Sequence, residues 1–172
     1  MRRLFMMLSA GSLMLVLVLA LPFLGCKSNT PTVAAPTATP TPGSPYTGIS
    51  QTNVTSMTII GTPNPGDWIP TSEFLAASVY PNPSTPGTID VGVNLSATMN
   101  VRVQVYENPS TKMSDETFSA IPAGITGLTI QTRDSYGNPL KTNYIYRCVV
   151  IGTTTQISGN FIICNSGGPC NY

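Results

Sequence analysis

The side chains able to move protons, hold metals or attack carbonyls are few in this chain of 172 residues. It has seven Asp and Glu, eight Lys and Arg, four Cys and no His. Without His, the commonest general base and the commonest zinc ligand are missing. Asp115 and Glu116 are adjacent, so on a strand they point to opposite faces. Glycosidase chemistry instead needs two carboxyls converging on one bond, about 5–10 Å apart. They read as solvated edge charges. Asp134 and Asn138 supply oxygen donors within DSYGNP, but the dense carboxylates of a calcium loop are lacking. A turn is the better reading, with Asp134 bonding the backbone two residues on and Gly137 supplying positive φ. Serines and threonines abound, yet no Gly-x-Ser-x-Gly or Ser-x-x-Lys stretch activates one. These residues predict no catalytic centre, no metal and no cofactor. Among the aromatics, Tyr46, Trp68, Tyr136 and Tyr172 lie in turn-rich segments, where an exposed ring would stack on sugar or on a partner. Trp68 and Tyr136 are the candidate binding aromatics. For Trp68, between Asp67 and Ile69, packing at one end of the fold is the preferred alternative.

The cysteines divide by position. Cys148, Cys164 and Cys170 lie in the C-terminal part, and Cys26 follows a long apolar run. If the chain is exported, disulfides are permitted. Cys148–Cys164 would face each other if a turn centred on Gln156. Cys164–Cys170 would close over the Gly-rich spacer between them, and this pairing is preferred. Either pairing leaves one thiol over. A zinc site built from cysteine alone lacks a fourth ligand once Cys26 is used elsewhere.

The N-terminus explains that use. Met1-Arg2-Arg3 is positive, residues 4–24 are mostly apolar, and Phe23-Leu24-Gly25-Cys26 precedes the polar Lys27-Ser28-Asn29. A basic start and an apolar core form an export signal. The run is also about as long as a membrane-spanning helix, roughly 20 residues. Gly25-Cys26 resembles the bacterial lipoprotein signal, in which cleavage occurs before a Cys whose thiol carries diacylglycerol. The resemblance implies a signal peptide over 1–25, a lipid on Cys26, and contact with a membrane through that lipid. Each buried CH₂ contributes roughly 0.8 kcal/mol, so several acyl chains hold a domain on a bilayer. Lys27, rather than Asp, after the Cys is similar to lipoproteins sent to the outer membrane of two-membrane bacteria.

The elements that follow must present any functional surface. Residues 26–46 contain five prolines among Thr and Ala, which prevent a helix and supply no core; an extended Pro/Thr-rich tether is expected. At about 3 Å per residue it spans on the order of 50 Å. Without the signal the charge changes from +1 to −1, and residues 47–172 carry five basic against seven acidic residues, or −2. That balance excludes the basic stripe of a nucleic-acid binder and adds no polybasic attraction to a bilayer.

From residue 47 onward apolar runs alternate between turn signals. Strands are expected at 55–60, Phe74–Tyr80, Thr88–Leu95, 100–107, 117–121, 128–132, Tyr144–Ile151 and 157–164, with 96–99 joining two of them as a hairpin. No ten-residue segment shows helical spacing. Seven or eight short strands with turns at intervals of about ten predict an all-β fold, an Ig-like Greek-key β-sandwich over 47–172.

Two stretches carry a family resemblance. One is Tyr80-Pro81-Asn82-Pro83, then Ile89, Val91 and Val93, then Val101-Arg102-Val103-Gln104-Val105-Tyr106-Glu107. The other is Thr132-Arg133-Asp134-Ser135-Tyr136-Gly137-Asn138-Pro139-Leu140, followed by Tyr144-Ile145-Tyr146-Arg147. Together, over about 78–164, they resemble the Ig-like domain of flagellar hook-capping proteins (FlgD-type). They are similar also to the C-terminal sorting domains of type IX secretion cargo. Asn143 stands near a glycine of that pattern, and Asn tolerates the left-handed conformation. The resemblance implies a part in protein assembly. The resulting expectation is an exported, lipid-anchored envelope protein with a structural, adhesive or assembly-interaction role. Its partner would be a protein of the cell envelope, with no small-molecule ligand expected. A sorting module and a glycan-binding module are the alternatives.

Overall fold

Seven strands form where apolar and polar residues alternate: β1 (Phe74–Tyr80), β2 (Thr88–Leu95), β3 (Met99–Asn108), β4 (Thr111–Ile121), β5 (Gly124–Gln131), β6 (Tyr144–Ile151) and β7 (Gln156–Ile163). The structure is a computed structural model and describes residues 44–165. The expected signal segment, Cys26, most of the tether and Cys170 lie outside the described residues. Within them no residue is helical, and every strand pairing is antiparallel. One sheet has the order β1-β2-β5, the other β4-β3-β6-β7.

A single core lies between the sheets. Ile89, Val91, Val93 and Leu95 of β2 face Val101, Val103 and Val105 of β3, with Tyr144, Tyr146, Cys148 and Val150 of β6 and Ile157, Phe161 and Ile163 of β7 in the same cluster. Each set keeps the period of two that puts one face of a strand inward. In β1, Phe74 and Val79 are both buried although five residues apart. A bulge between Phe74 and Ala76 restores the phase.

Three expectations change. Residues 55–60 form no strand; only Ile59 bridges to Thr52. Ile60, at the end of the expected strand, is exposed. Residues 96–99 do not close a hairpin, because β2 and β3 lie in different sheets and their connection crosses the sandwich. Finally, β4 begins at Thr111, six residues earlier than expected. It is an edge strand whose Met113, Phe118 and Ile121 are only partly buried, so its apolar signal is weak.

Between β1 and β2 the chain changes sheets. Both the Tyr80–Pro81 and Asn82–Pro83 peptides are cis. Beyond them Ser84 joins the edge of β7: its N–H donates to Ile162 O (3.0 Å), and Cys164 N–H donates to Ser84 O (2.7 Å). Asn82 is buried between these segments. Its Nδ2 donates to Ser50 O (2.8 Å) and Asn160 O (3.1 Å), and its Oδ1 accepts from Ile162 N–H (3.2 Å). Its carbonyl accepts from Thr52 N–H (2.9 Å).

The start of the segment before β1, residues 44–49, lies on the outer face of the four-stranded sheet. Ser44 Oγ donates to Ile145 O (2.8 Å). Tyr46 and Ile49 form a small second cluster with Ile145, Ile162 and Cys164. The packed region therefore begins before residue 47, where the composition changes. Cys164 is disulfide-bonded, whereas Cys148 is a free, buried thiol. The β6–β7 register pairs Cys148 with Gly159, which centres the turn before Gln156 and removes Cys148 from the disulfide candidates.

Candidate functional site

The two aromatics nominated for binding occupy different environments. Trp68 is 5% exposed and belongs to the core, which corrects its candidacy as a binding residue. Its backbone N–H donates to Ser158 O (2.6 Å) at the edge of β7, with a left-handed φ of 56°. The indole lies against Gly159, where a β-carbon would stand 2.2 Å from Trp68 Cε2. Its Nε1 is buried without a hydrogen-bond partner among the described residues. Tyr136 is 89% exposed on the turn between β5 and β6. That turn is stapled by Asp134. Its Oδ1 accepts from the N–H groups of Tyr136 (2.9 Å) and Asn138 (2.8 Å), and its Oδ2 from Asn138 Nδ2 (3.0 Å). The Asn138 side chain first, with these backbone donors, holds the Asp134 carboxyl below its usual range.

A more organised surface lies on the outer face of β3, β6 and β7. The core sends Val103, Val105 and Cys148 inward, so Gln104, Tyr106, Arg147 and Val149 point outward. Tyr46 crosses above them. Two adjoining depressions of about 480 and 460 Å³ share Tyr46 and Arg147 and form one trough. Asn64, Gly66 and Asn160 line one end; Gln104, Tyr106 and Gln156 line the other.

The trough is held in shape from beneath and from its sides. Arg147 Nη1 donates to Asn160 Oδ1 (3.1 Å) and its Nη2 to Ser158 Oγ (2.7 Å). Asn160 Nδ2 in turn donates to the carbonyls of Thr47 (3.3 Å) and Gly48 (3.2 Å), fixing the strap that carries Tyr46. Tyr106 Oη donates to Gln104 Oε1 (2.8 Å), and Gln104 Nε2 donates to Asp115 Oδ2 (3.1 Å). Asp115 is further bound by both Arg102 Nε and Nη2 (2.6 Å each) and by Lys112 Nζ. The Arg102 bonds chiefly hold its carboxyl well below the usual range. Glu116, on the opposite face of β4, accepts from Gln131 N–H (3.3 Å).

Behind Arg147 lies Asp67, its side chain 1% exposed and its Oδ1 3.9 Å from Arg147 Nη1. That separation gives attraction between charges but no hydrogen bond. Oδ1 has no hydrogen-bond partner among the described residues, while Oδ2 accepts from Ser50 Oγ (3.3 Å). Burial pushes the Asp67 carboxyl up, against the hydrogen bonds and the Arg147 charge that lower it. Burial likewise raises Tyr46. Among the described residues, no three Cys, Asp or Glu side chains gather as a metal would require.

Of the sequence-nominated aromatics among the described residues the trough uses Tyr46 alone; Tyr172 lies outside them. Gln104 and Tyr106 stood in the sequence as the polar phase of an alternating strand, which ordinarily marks solvent, and Arg147 only as part of the family resemblance; none was assigned a binding role. No family model, curated protein or solved structure matches the chain.

Proposed function

We propose that this chain is an exported, lipid-anchored protein of the cell envelope. In this reading it acts without catalysis, as a structural, adhesive or assembly-interaction module. Residues 1–25 direct export, Cys26 carries the lipid, and the Pro/Thr-rich tether holds the domain off the bilayer. The strand order favours an Ig-like Greek-key sandwich: the first, second and fifth strands in one sheet, the third, sixth and seventh in the other. The fourth strand pairs beside the third, a variation within the sandwich architecture. Fold alone does not define a role.

The trough carries the functional reading. Its polar groups are fixed by neighbouring side chains rather than by solvent, which lowers the entropy lost when a partner binds. Two measurements test the proposal. Palmitate labelling in cells is expected for the wild type and absent in Cys26→Ala; equal labelling refutes the anchor. A photo-crosslinking residue at position 106 is expected to capture an envelope component, whereas the same residue at exposed position 54 is not. Equal or absent capture at both positions removes the trough from the function.

A further inference from the structure

We infer that the trough between Tyr46 and Tyr106 binds a neutral oligosaccharide. The inference rests on the reading of this face as the recognition surface and names its ligand class.

Three features of the trough specify that chemistry. Aromatic surface comes first. Tyr46 lines both depressions and Tyr106 one of them. Tyrosine combines an apolar ring with a polar tip, which suits the C–H face of a pyranose bordered by hydroxyls. Planar hydrogen-bonding groups are the second. Arg147 uses one N–H on Asn160 and one on Ser158. A guanidinium has five N–H donors, so others remain for ligand oxygens. Tyr106 spends its proton on Gln104, leaving its own oxygen to accept from a ligand hydroxyl.

Charge is the third. Asp67 faces Arg147, so this end of the trough holds an ion pair instead of an unbalanced cation. An anionic ligand gains little there. Among the described residues the buried Asp67 Oδ1 lacks a donor, and its side chain stays behind Arg147, out of direct reach of a ligand.

The backbone argues against an added peptide strand. The trough lies over β3, β6 and β7; the first two are interior strands paired on each side, and the outer edge of β7 is engaged by Trp68 and Ser84. Main-chain groups are not free there for β-augmentation, which needs a sheet edge. Recognition must be by side chains, as it is for a polyol.

The test uses the full chain, purified in a detergent without a sugar headgroup and applied to a printed array of neutral and acidic oligosaccharides. The strongest neutral binder is then titrated calorimetrically. Tyr106→Ala and Arg147→Gln are each expected to weaken binding at least tenfold while their thermal transitions show that they are folded. Val54→Ala, at an exposed position that lines neither depression, is expected to leave affinity unchanged. A blank array overturns the inference, as does binding confined to acidic sugars or unaffected by both trough variants. A blank array together with crosslinking of an envelope protein from position 106 removes the saccharide and keeps the interaction module.

Discussion

Trp68 packs against Gly159 so closely that a single methyl group at residue 159 would stand 2.2 Å from the indole Cε2 and 2.3 Å from its Nε1. The absent side chain on β7 makes room for the ring that closes this end of the core. Gly159→Ala therefore forces either the indole or the strand to move. Overpacking of this kind costs about 1–3 kcal/mol. Urea denaturation is expected to show the loss in Gly159→Ala. The same substitution in a Trp68→Ala background is expected to cost much less, since the obstructing ring is gone. Equal costs in the two backgrounds would separate Gly159 from Trp68.

Asn82 joins three segments through one buried amide. Asn82→Ala leaves Ser50 O, Asn160 O and Ile162 N–H short of a partner. A destabilisation on the order of 3 kcal/mol is expected, read as a lower urea midpoint at unchanged slope. Asn82→Asp is expected to be worse. It keeps an acceptor for Ile162 but sets a buried carboxylate against two carbonyl oxygens. An Asn82→Asp variant as stable as the wild type would contradict this orientation of the amide.

Cys148 is the free thiol of the core. Burial pushes it up to about 12, against a smaller lowering by the Arg147 charge. The thiolate is the reactive form, so native protein is expected to resist iodoacetamide at this position. Unfolding in denaturant should release it to rapid labelling, followed by peptide mass spectrometry. Labelling of native protein at the unfolded rate would mean that the core opens at Cys148.

Strands were legible where apolar runs are bounded by turn residues and one face is drier than the other. The bounds of Phe74–Tyr80, Thr88–Leu95 and Tyr144–Ile151 agree with the pattern of their own residues. Asn143, expected to tolerate the left-handed region, has a φ of 53°. Pairing was less legible. Nothing local to 96–99 distinguishes a hairpin from a crossing between sheets, since that choice depends on which distant strands compete for β2 and β3. The trough was hidden for a related reason. Arg147 and Tyr106 look like ordinary solvent-facing residues until β3 and β6 are placed side by side and Tyr46 is laid across them. Trp68 shows the converse: its turn-rich neighbours hide the glycine on β7 that gives it a buried seat.

Stability at low pH depends on Glu73, which grips the turn between β6 and β7. Its carboxylate accepts from Thr154 N–H (3.0 Å) and Thr155 N–H (3.0 Å) and from both hydroxyls (3.0 and 3.1 Å). Desolvation raises its pKa, but the Thr155 and Thr154 donors outweigh it and bring the group from 4.5 to about 2. A depressed carboxyl contributes stability that is fully present above its unfolded value. That contribution is lost as pH falls from about 4.5 towards 2. Asp115, held down chiefly by Arg102, acts in the same direction. Asp67 acts in the opposite one. Burial raises its pKa, so its contribution is full below the unfolded value and is lost as pH rises through the folded value. Glu73→Gln isolates the first effect. The variant is expected to be less stable than the wild type at pH 7 and to approach it near pH 2, where Glu73 itself is about half protonated. Urea midpoints measured from pH 2 to pH 7 should therefore converge at the acid end; parallel curves would show that Glu73 does not hold the turn through its charge.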